Sequence, residues 1–297
     1  MKLMIKKNND PIDSIINPLN VPIIFSLPER LVNPGSWVEH IPFAMFLVES
    51  LQPKLFVELG THTGNSYCAF CQAVKQLGVD THCFAVDTWE GDKHAGFYGP
   101  EVLVDLRKYH DPLYSEFSRL LQSTFDDAIK YFSDGSIDLL HIDGLHTYEA
   151  VKHDFETWLP KLSDQGVVLF HDTNVRERDF GIWKMWDELK LKYPSFEFTH
   201  GHGLGVLAVG SKYPPSLNAL LKSSDQAPSI RELFFQLGSR FTKELTIQTL
   251  TAQVAEREHD LAEIRSSRTW KIALLFRQVR ILLLPPGSIH RKAGRKT

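Results

Sequence analysis

The sequence predicts an α/β fold: a doubly wound, mainly parallel seven-stranded sheet with an antiparallel last strand, followed by a C-terminal helical tail. Three observations predict it. Short apolar runs alternate with stretches of helical periodicity through residues 55–191, the pattern of a parallel sheet covered on both faces. Acidic or polar residues close four of those runs, at Glu58, Asp87, Asp143 and His171-Asp172, the edge at which open sheets of this kind hold ligands. The first run also enters a turn bracketed by Gly60 and Gly64 that feeds a helix.

Residues 1–34, rich in Pro and Asn, read as an N-terminal arm over the core. A helix follows from about Ile41 to Leu51, with Pro42 tolerable only in its first turn. Leu55 to Val57 is a buried strand, and Tyr67, Phe70, Cys71 and Val74 recur at helical spacing beyond the glycine turn. Such a strand, turn and helix N-terminus lets backbone N–H groups approach a ligand closely. The spacing Glu58-x-Gly60-x-x-x-Gly64 is not the Gly-x-Gly-x-x-Gly of pyrophosphate-binding folds. An acid there suits a cationic or hydroxyl-rich ligand better than a phosphate.

Cys83 to Val86 is the second strand, ending at Asp87, a position from which a carboxylate accepts both hydroxyls of a ribose. Residues 88–118 carry Trp89, Asp92, His94, Tyr98 and Tyr109 without clear periodicity and read as a lid or substrate platform. Phe117 to Leu121 and Ile137 to Ile142 are further strands, the latter closed by Asp143-Gly144-Leu145-His146. A helix from Tyr148 to Leu159, a strand from Val167 to Phe170 and a helix over 181–191 complete the alternation. A hairpin around His200-Gly201-His202-Gly203 ends it. The Rossmann-like domain is bounded at 35–212.

Hydrophobic content of 43% and charged content of 23% are those of a soluble globular protein. The formal charge of −3 is uneven: from Arg265 onward there are nine basic residues and no acids, which leaves −12 on the rest. An acidic body with a basic tail implies a separate partner for the tail. Cys68, Cys71 and Cys83 lack framework spacing and fit a reducing compartment, with Cys68 and Cys71 read as helix-packing thiols. Met1 to Asp10 has no apolar core of a signal peptide, and no run reaches transmembrane length. A cytoplasmic location, peripheral at the inner face of the membrane, and no nucleic-acid partner are therefore expected.

With these residues in place, residues 35–210 resemble a class I S-adenosylmethionine-dependent methyltransferase. The matching branch has Asp-Gly-x-His-x-Tyr after its fourth strand, here Asp143, Gly144, His146 and Tyr148. It includes metal-dependent O-methyltransferases of macrolide sugars and relatives near surface-polysaccharide pathways. The resemblance implies that Glu58, Gly60, Thr61, Gly64 and Ser66 hold the methionine part of S-adenosylmethionine. It implies Asp87 and Thr88 at the ribose, and Ser123, Thr124 and Phe125 at the adenine. It further implies a divalent metal on Asp143, His171 and Asp172, although His171 stands where an acid is usual. Imidazole tilts such a site from magnesium toward manganese, iron, nickel or zinc; alternatively His171 hydrogen-bonds beside the cofactor with no metal.

A sugar hydroxyl is weakly acidic, so methyl transfer to it needs a base or a metal. His146, supported by Asp143, is the expected base, and His200 and His202 are further candidates. The acceptor implied is a saccharide or glycan hydroxyl in surface-polysaccharide or related biosynthesis. Two other readings remain open: a non-catalytic cofactor-binding subunit that docks a glycosyltransferase, and an α/β enzyme using another nucleotide.

Residues 213–244, with Pro214, Pro215, Ser223, Ser224 and Pro228, read as a linker and helix. In 245–297, Ile247, Leu250, Val254, Leu261 and Ile264 follow a short coiled-coil seam, interrupted by Arg257 at an expected core site. Ser267-Arg268-Thr269-Trp270-Lys271 then opens a basic amphipathic tail. It resembles a tail, Ser-x-x-Trp-Arg followed by Pro-Leu-Arg, found beside bacterial surface-polysaccharide glycosyltransferases, with Lys271 replacing Arg and Leu275 replacing Pro. The partners implied are a glycosyltransferase, an anionic membrane surface, or a second copy in a homo-oligomer.

Overall fold

The apolar runs pair as a single seven-stranded sheet because helices bury both of its faces. The computed structural model describes residues 17–283. The strands are β1 (Leu55–Leu59), β2 (His82–Asp87), a small hairpin of β3 (Gly91–Asp92) and β4 (Gly96–Phe97), β5 (Ser118–Gln122), β6 (Ile137–Ile142), β7 (Leu162–His171), β8 (Ser195–Phe198) and β9 (Leu204–Ala208). The large sheet runs β5-β2-β1-β6-β7-β9-β8, with β9 antiparallel to both neighbours and the pairs from β5 to β7 parallel. The strand order reverses between β1 and β6, so the crevice beyond their carboxyl ends is the ligand position of this architecture.

The helices are α1 (Ile41–Leu51), α2 (Asn65–Leu77), α3 (Glu101–Tyr114), α4 (Phe125–Ala128), α5 (Tyr148–Trp158), α6 (Ile182–Leu189), α7 (Pro215–Leu221), α8 (Ala227–Ser266) and α9 (Arg268–Leu283). Phe43, Phe46, Phe56, Phe70 and Phe234 fill one face of the sheet, and Phe155, Trp158, Phe170 and Trp186 fill the other. The arm over 17–34 buries Ile23 and Ile24 and is fastened to the start of α2. There Asn65 accepts from Val32 N (3.0 Å) and donates to the carbonyls of Val32 (2.7 Å) and Pro34 (2.9 Å).

Two segments differ from the sequence expectation. Residues 88–118 are not one irregular lid: only the β3–β4 hairpin is loop-like, and α3 takes up most of the rest. Its buried residues are Leu103, Leu106, His110 and Tyr114, about one per turn and half of them polar or aromatic, so the apolar period is thin. The Pro- and Ser-rich stretch after Lys212 is likewise not a free linker. Pro215 opens α7, where a missing N–H costs nothing, and Leu217 and Leu220 are fully buried. The first compact unit thus runs through Leu245. Within it, a Cβ at Gly238 would stand 2.0 Å from Glu39 O, so α8 packs there only as glycine allows.

Residues 246–297 form a second unit. Its described part is helical, the remainder of α8 and then α9. Among the described residues, no helix is long and apolar enough to cross a membrane. The polar start, Met1 to Asp10, and four of the tail's basic residues, Arg291, Lys292, Arg295 and Lys296, lie outside the described residues.

Candidate active site

β1 and β6 end together, and the chain there tolerates no side chain at one position. Asp143 N donates to Leu59 O (2.8 Å) and Gly60 N to Val86 O (2.9 Å). A Cβ on Gly60 would lie 2.1 Å from Asp143 O, and its φ is +86°, so only glycine passes. Asp87 then gathers the turn that follows. Its Oδ2 accepts from Thr61 N and His62 N, both at 2.8 Å, and its Oδ1 accepts from Trp89 N at 2.7 Å. Trp89 Nε1 donates to His62 O (2.9 Å), and the His62 ring stacks on Tyr98 at 4.6 Å.

Glu58 lies one layer below. Strand alternation sends it to the same side as Phe56, and it is fully buried. Trp37 Nε1 donates to His141 Nε2 (3.2 Å), which fixes the tautomer so that His141 Nδ1 donates to Glu58 Oε2 (2.8 Å). Burial pushes the Glu58 carboxyl up, against the opposing pull of His141.

Across the crevice, Asp143, His146 and Asp172 converge. His146 Nε2 lies 3.0 Å from Asp172 Oδ2 and 3.5 Å from Asp143 Oδ1. His171 Nδ1 is 3.3 Å from Asp143 Oδ1, and His202 Nδ1 is 3.3 Å from Asp172 Oδ1. Behind them the Gly201 carbonyl accepts from Nε2 of both His40 and His171, each at 3.0 Å. Asp172 and His202 have φ of +61° and +68°, a conformation that side chains seldom adopt and that loops at functional sites retain. Burial acts against every charge here, but mutual proximity outweighs it. It pushes His146 up to about 10 and His171 up to about 9, while Asp143 and Asp172 fall well below the usual carboxylate range. Burial and the neighbouring imidazoles hold His40 well below the usual imidazole range.

These groups share a cavity of about 1200 Å³. Lys93 and His94, from the β3–β4 hairpin, both pair with Asp179 across it. The rings of His94, His146 and Phe180 cluster in a triangle, with centroids 4.5 Å (His94–Phe180), 4.7 Å (His146–Phe180) and 5.4 Å (His94–His146) apart. Of the residues expected from the sequence, Gly60, Thr61, Ser66, Asp87, Thr88, Thr124, Phe125, Asp143, His146, His171 and Asp172 line the cavity. Glu58, Gly64 and Ser123 do not: Glu58 faces His141, Gly64 precedes α2, and Ser123 Oγ donates to Thr124 O. Tyr98, from the expected platform, also lines it, as do Trp37, His62, Arg176 and Phe180, which no local motif marked.

The residues fit a divalent cation, with one change of membership. Asp143, His146 and Asp172 each offer a ligand atom within 4.8 Å of the others, so His146 completes the group in the place expected for His171. His171 Nε2 donates to Gly201 O, and its Nδ1 faces the same carboxylates from 3.3 Å (Asp143 Oδ1) and 3.5 Å (Asp172 Oδ1). Asp172 Oδ1 is buried with no imidazole nitrogen nearer than His202 Nδ1 at 3.3 Å, which leaves acceptor capacity in the cluster. Two carboxylates and an imidazole suit manganese, iron or zinc as well as magnesium.

Residues 57–173 match the family described as "Methyltransferase domain". The chain is 46% identical over 231 residues, 77% of its length, to the uncharacterized protein y4gI of Sinorhizobium fredii. It spans 25% of that relative's length. Among solved structures it is similar to an SAH-bound methyltransferase of Podospora anserina, at 15% identity and a TM-score of 0.37, over 70% of this chain and 68% of that one. It is also similar to a methyltransferase of Geobacter sulfurreducens, at 17% identity and a TM-score of 0.43, over 67% of this chain and 89% of that one. The matched segment, 57–173, is the one that carries the Gly60 turn, Asp87, Asp143 and His146.

Proposed function

We propose that the chain is an O-methyltransferase that moves the methyl group of S-adenosylmethionine to a hydroxyl of a saccharide or glycan. One observation carries this reading. A glycine turn held by Asp87 and a cluster of Asp143, His146 and Asp172 line one cavity at the switch point of the sheet. The first suits a nucleoside with a cationic amino acid end. The second suits the activation of a weakly acidic hydroxyl. The stacked His94, Phe180 and His146 rings add an apolar face beside it, on which a sugar ring can lie.

The methyl carbon's bond to sulfur breaks as its bond to the acceptor oxygen forms, and S-adenosylhomocysteine leaves. The sulfonium is already a strong electrophile, so the protein aligns the reactants and receives the hydroxyl proton. Asp87 presents a carboxylate at the ribose, and the Gly60 turn brings backbone to the methionine end. Phe125 and Thr124 border the adenine side. The hydroxyl proton passes to His146, once that ring has released the proton it holds between Asp143 and Asp172. A divalent cation on Asp143, His146 and Asp172 would occupy the His146 lone pair and, when bound, would supply Lewis-acid polarisation of the hydroxyl in place of that base.

Incubation with methyl-labelled S-adenosylmethionine and a panel of free sugars, nucleotide sugars and oligosaccharides tests the reading. A base-stable methyl ether on a saccharide supports it. Label transfer only to nitrogen or carboxyl groups would overturn the acceptor class while leaving the cofactor in place.

A further inference from the structure

From Ile247 to Ile264, α8 carries an apolar seam that nothing among the described residues covers. Ile247, Leu250, Val254, Leu261 and Ile264 are 60%, 55%, 57%, 48% and 52% exposed. Their spacing alternates three and four, with Arg257 filling the one missing step, so they occupy the a and d positions of three consecutive heptads. A stripe of this size on a helix costs free energy in water and marks a surface that is covered in the working protein.

We propose that the occupant is the same stretch of a second copy of this chain, in a parallel two-stranded coiled coil. The flanking charges argue for that partner and that direction. In a parallel pair, a g residue meets the e residue five positions further along the other chain. Asp260 is at g and Arg265 is at e, so two copies form this pair twice, by symmetry. An antiparallel pair sets g against g, and the g positions are Gln253, Asp260 and Ser267, none of them basic. Ile247 and Val254 at a with Leu250 at d favour two strands over three, whereas the third heptad, with Leu261 at a and Ile264 at d, favours more; the Asp260–Arg265 pairing decides for two. Arg257, at d, stands beside the e-position Glu258 of the other copy. Within one helix its Nη1 is 3.7 Å from Asp260 Oδ2, at 80% and 50% exposure, so the guanidinium is free to exchange carboxylates. A charged core position lowers stability and fixes register, as a polar residue at a core site does.

Sedimentation velocity of the full chain over a concentration series tests this. A species of twice the 33.9 kDa chain mass is expected, and the combined Leu250→Asp, Val254→Asp variant is expected to sediment as a monomer. Asp260→Arg alone and Arg265→Asp alone each place like charges together and should weaken the dimer about tenfold. An equimolar mixture of those two variants restores opposite charges in a heterodimer and should recover the association. Because these side chains are exposed in the monomer, circular dichroism of the body should not change. A monomer at all concentrations overturns the proposal, as does an oligomer indifferent to the substitutions or single variants that mixing does not rescue.

Discussion

The two sides of the cavity satisfy their charges in different ways. On the side of β1 and β2, Asp87 accepts three backbone N–H groups, and its carboxylate is part of the turn it holds. On the side of β6 and β7, Asp143 and Asp172 face only imidazoles, two backbone positions have positive φ, and buried polar atoms are left without partners. A site finished by its own backbone is pre-organised to receive a ligand of fixed shape. A site with open valences is arranged for charge that arrives with something else, a proton, a cation or a hydroxyl. In the proposed function this difference separates binding from chemistry within one pocket.

Substitutions can break that division or sharpen it. The largest effect is expected from His146→Ala, which should lower turnover by about a thousandfold while S-adenosylhomocysteine affinity is kept. Loss of cofactor binding in single-turnover and calorimetric assays would merge the two sides. Next, Asp87→Ala removes the acceptor of three N–H groups as well as the proposed ribose partner. Cofactor affinity should fall about a hundredfold, with a lower unfolding temperature; near-normal affinity would remove Asp87 from the cofactor side.

Asp154, on α5, bears on the seam between the two sides, since its Oδ2 is 3.6 Å from where a Gly144 Cβ would stand. Burial holds its carboxyl up at about 7. The folded state therefore retains a proton that the unfolded chain releases near pH 4, and stability falls as pH rises between these values. Asp154→Asn should gain on the order of 2 kcal/mol at pH 8 and nothing at pH 4, read from urea unfolding at both. An equal change at both values would refute the burial argument. The smallest effect is expected from His40→Phe, which removes one of two donors to Gly201 O. Turnover should fall about tenfold through a displaced His202 loop, with cofactor affinity unmoved; unchanged turnover would leave that loop to His171 alone.

Much of this arrangement could be read in the chain. The strand over 137–142 and the helix from Ile41 follow from an apolar run and from Pro42 in a first turn. The orientation of Glu58 was also legible in principle, because a two-residue alternation groups it with Phe56 and away from the crevice. What escaped depends on strands meeting. The joining of His146 to Asp172, in addition to the contact of His171 with Asp143, requires β6 and β7 to end side by side. The clamp of His40 and His171 on Gly201 connects three segments far apart in sequence. The helix α3 was hidden because its buried stripe is narrow and half polar.

The most direct test is a calorimetric titration of chelator-treated protein with S-adenosylmethionine and S-adenosylhomocysteine, repeated after a divalent cation is restored. The account predicts that both bind with the chelator present, because the cofactor side is complete in itself, and that Asp172→Ala abolishes the added heat of the cation alone. Well-folded protein that binds neither compound under either condition would contradict it.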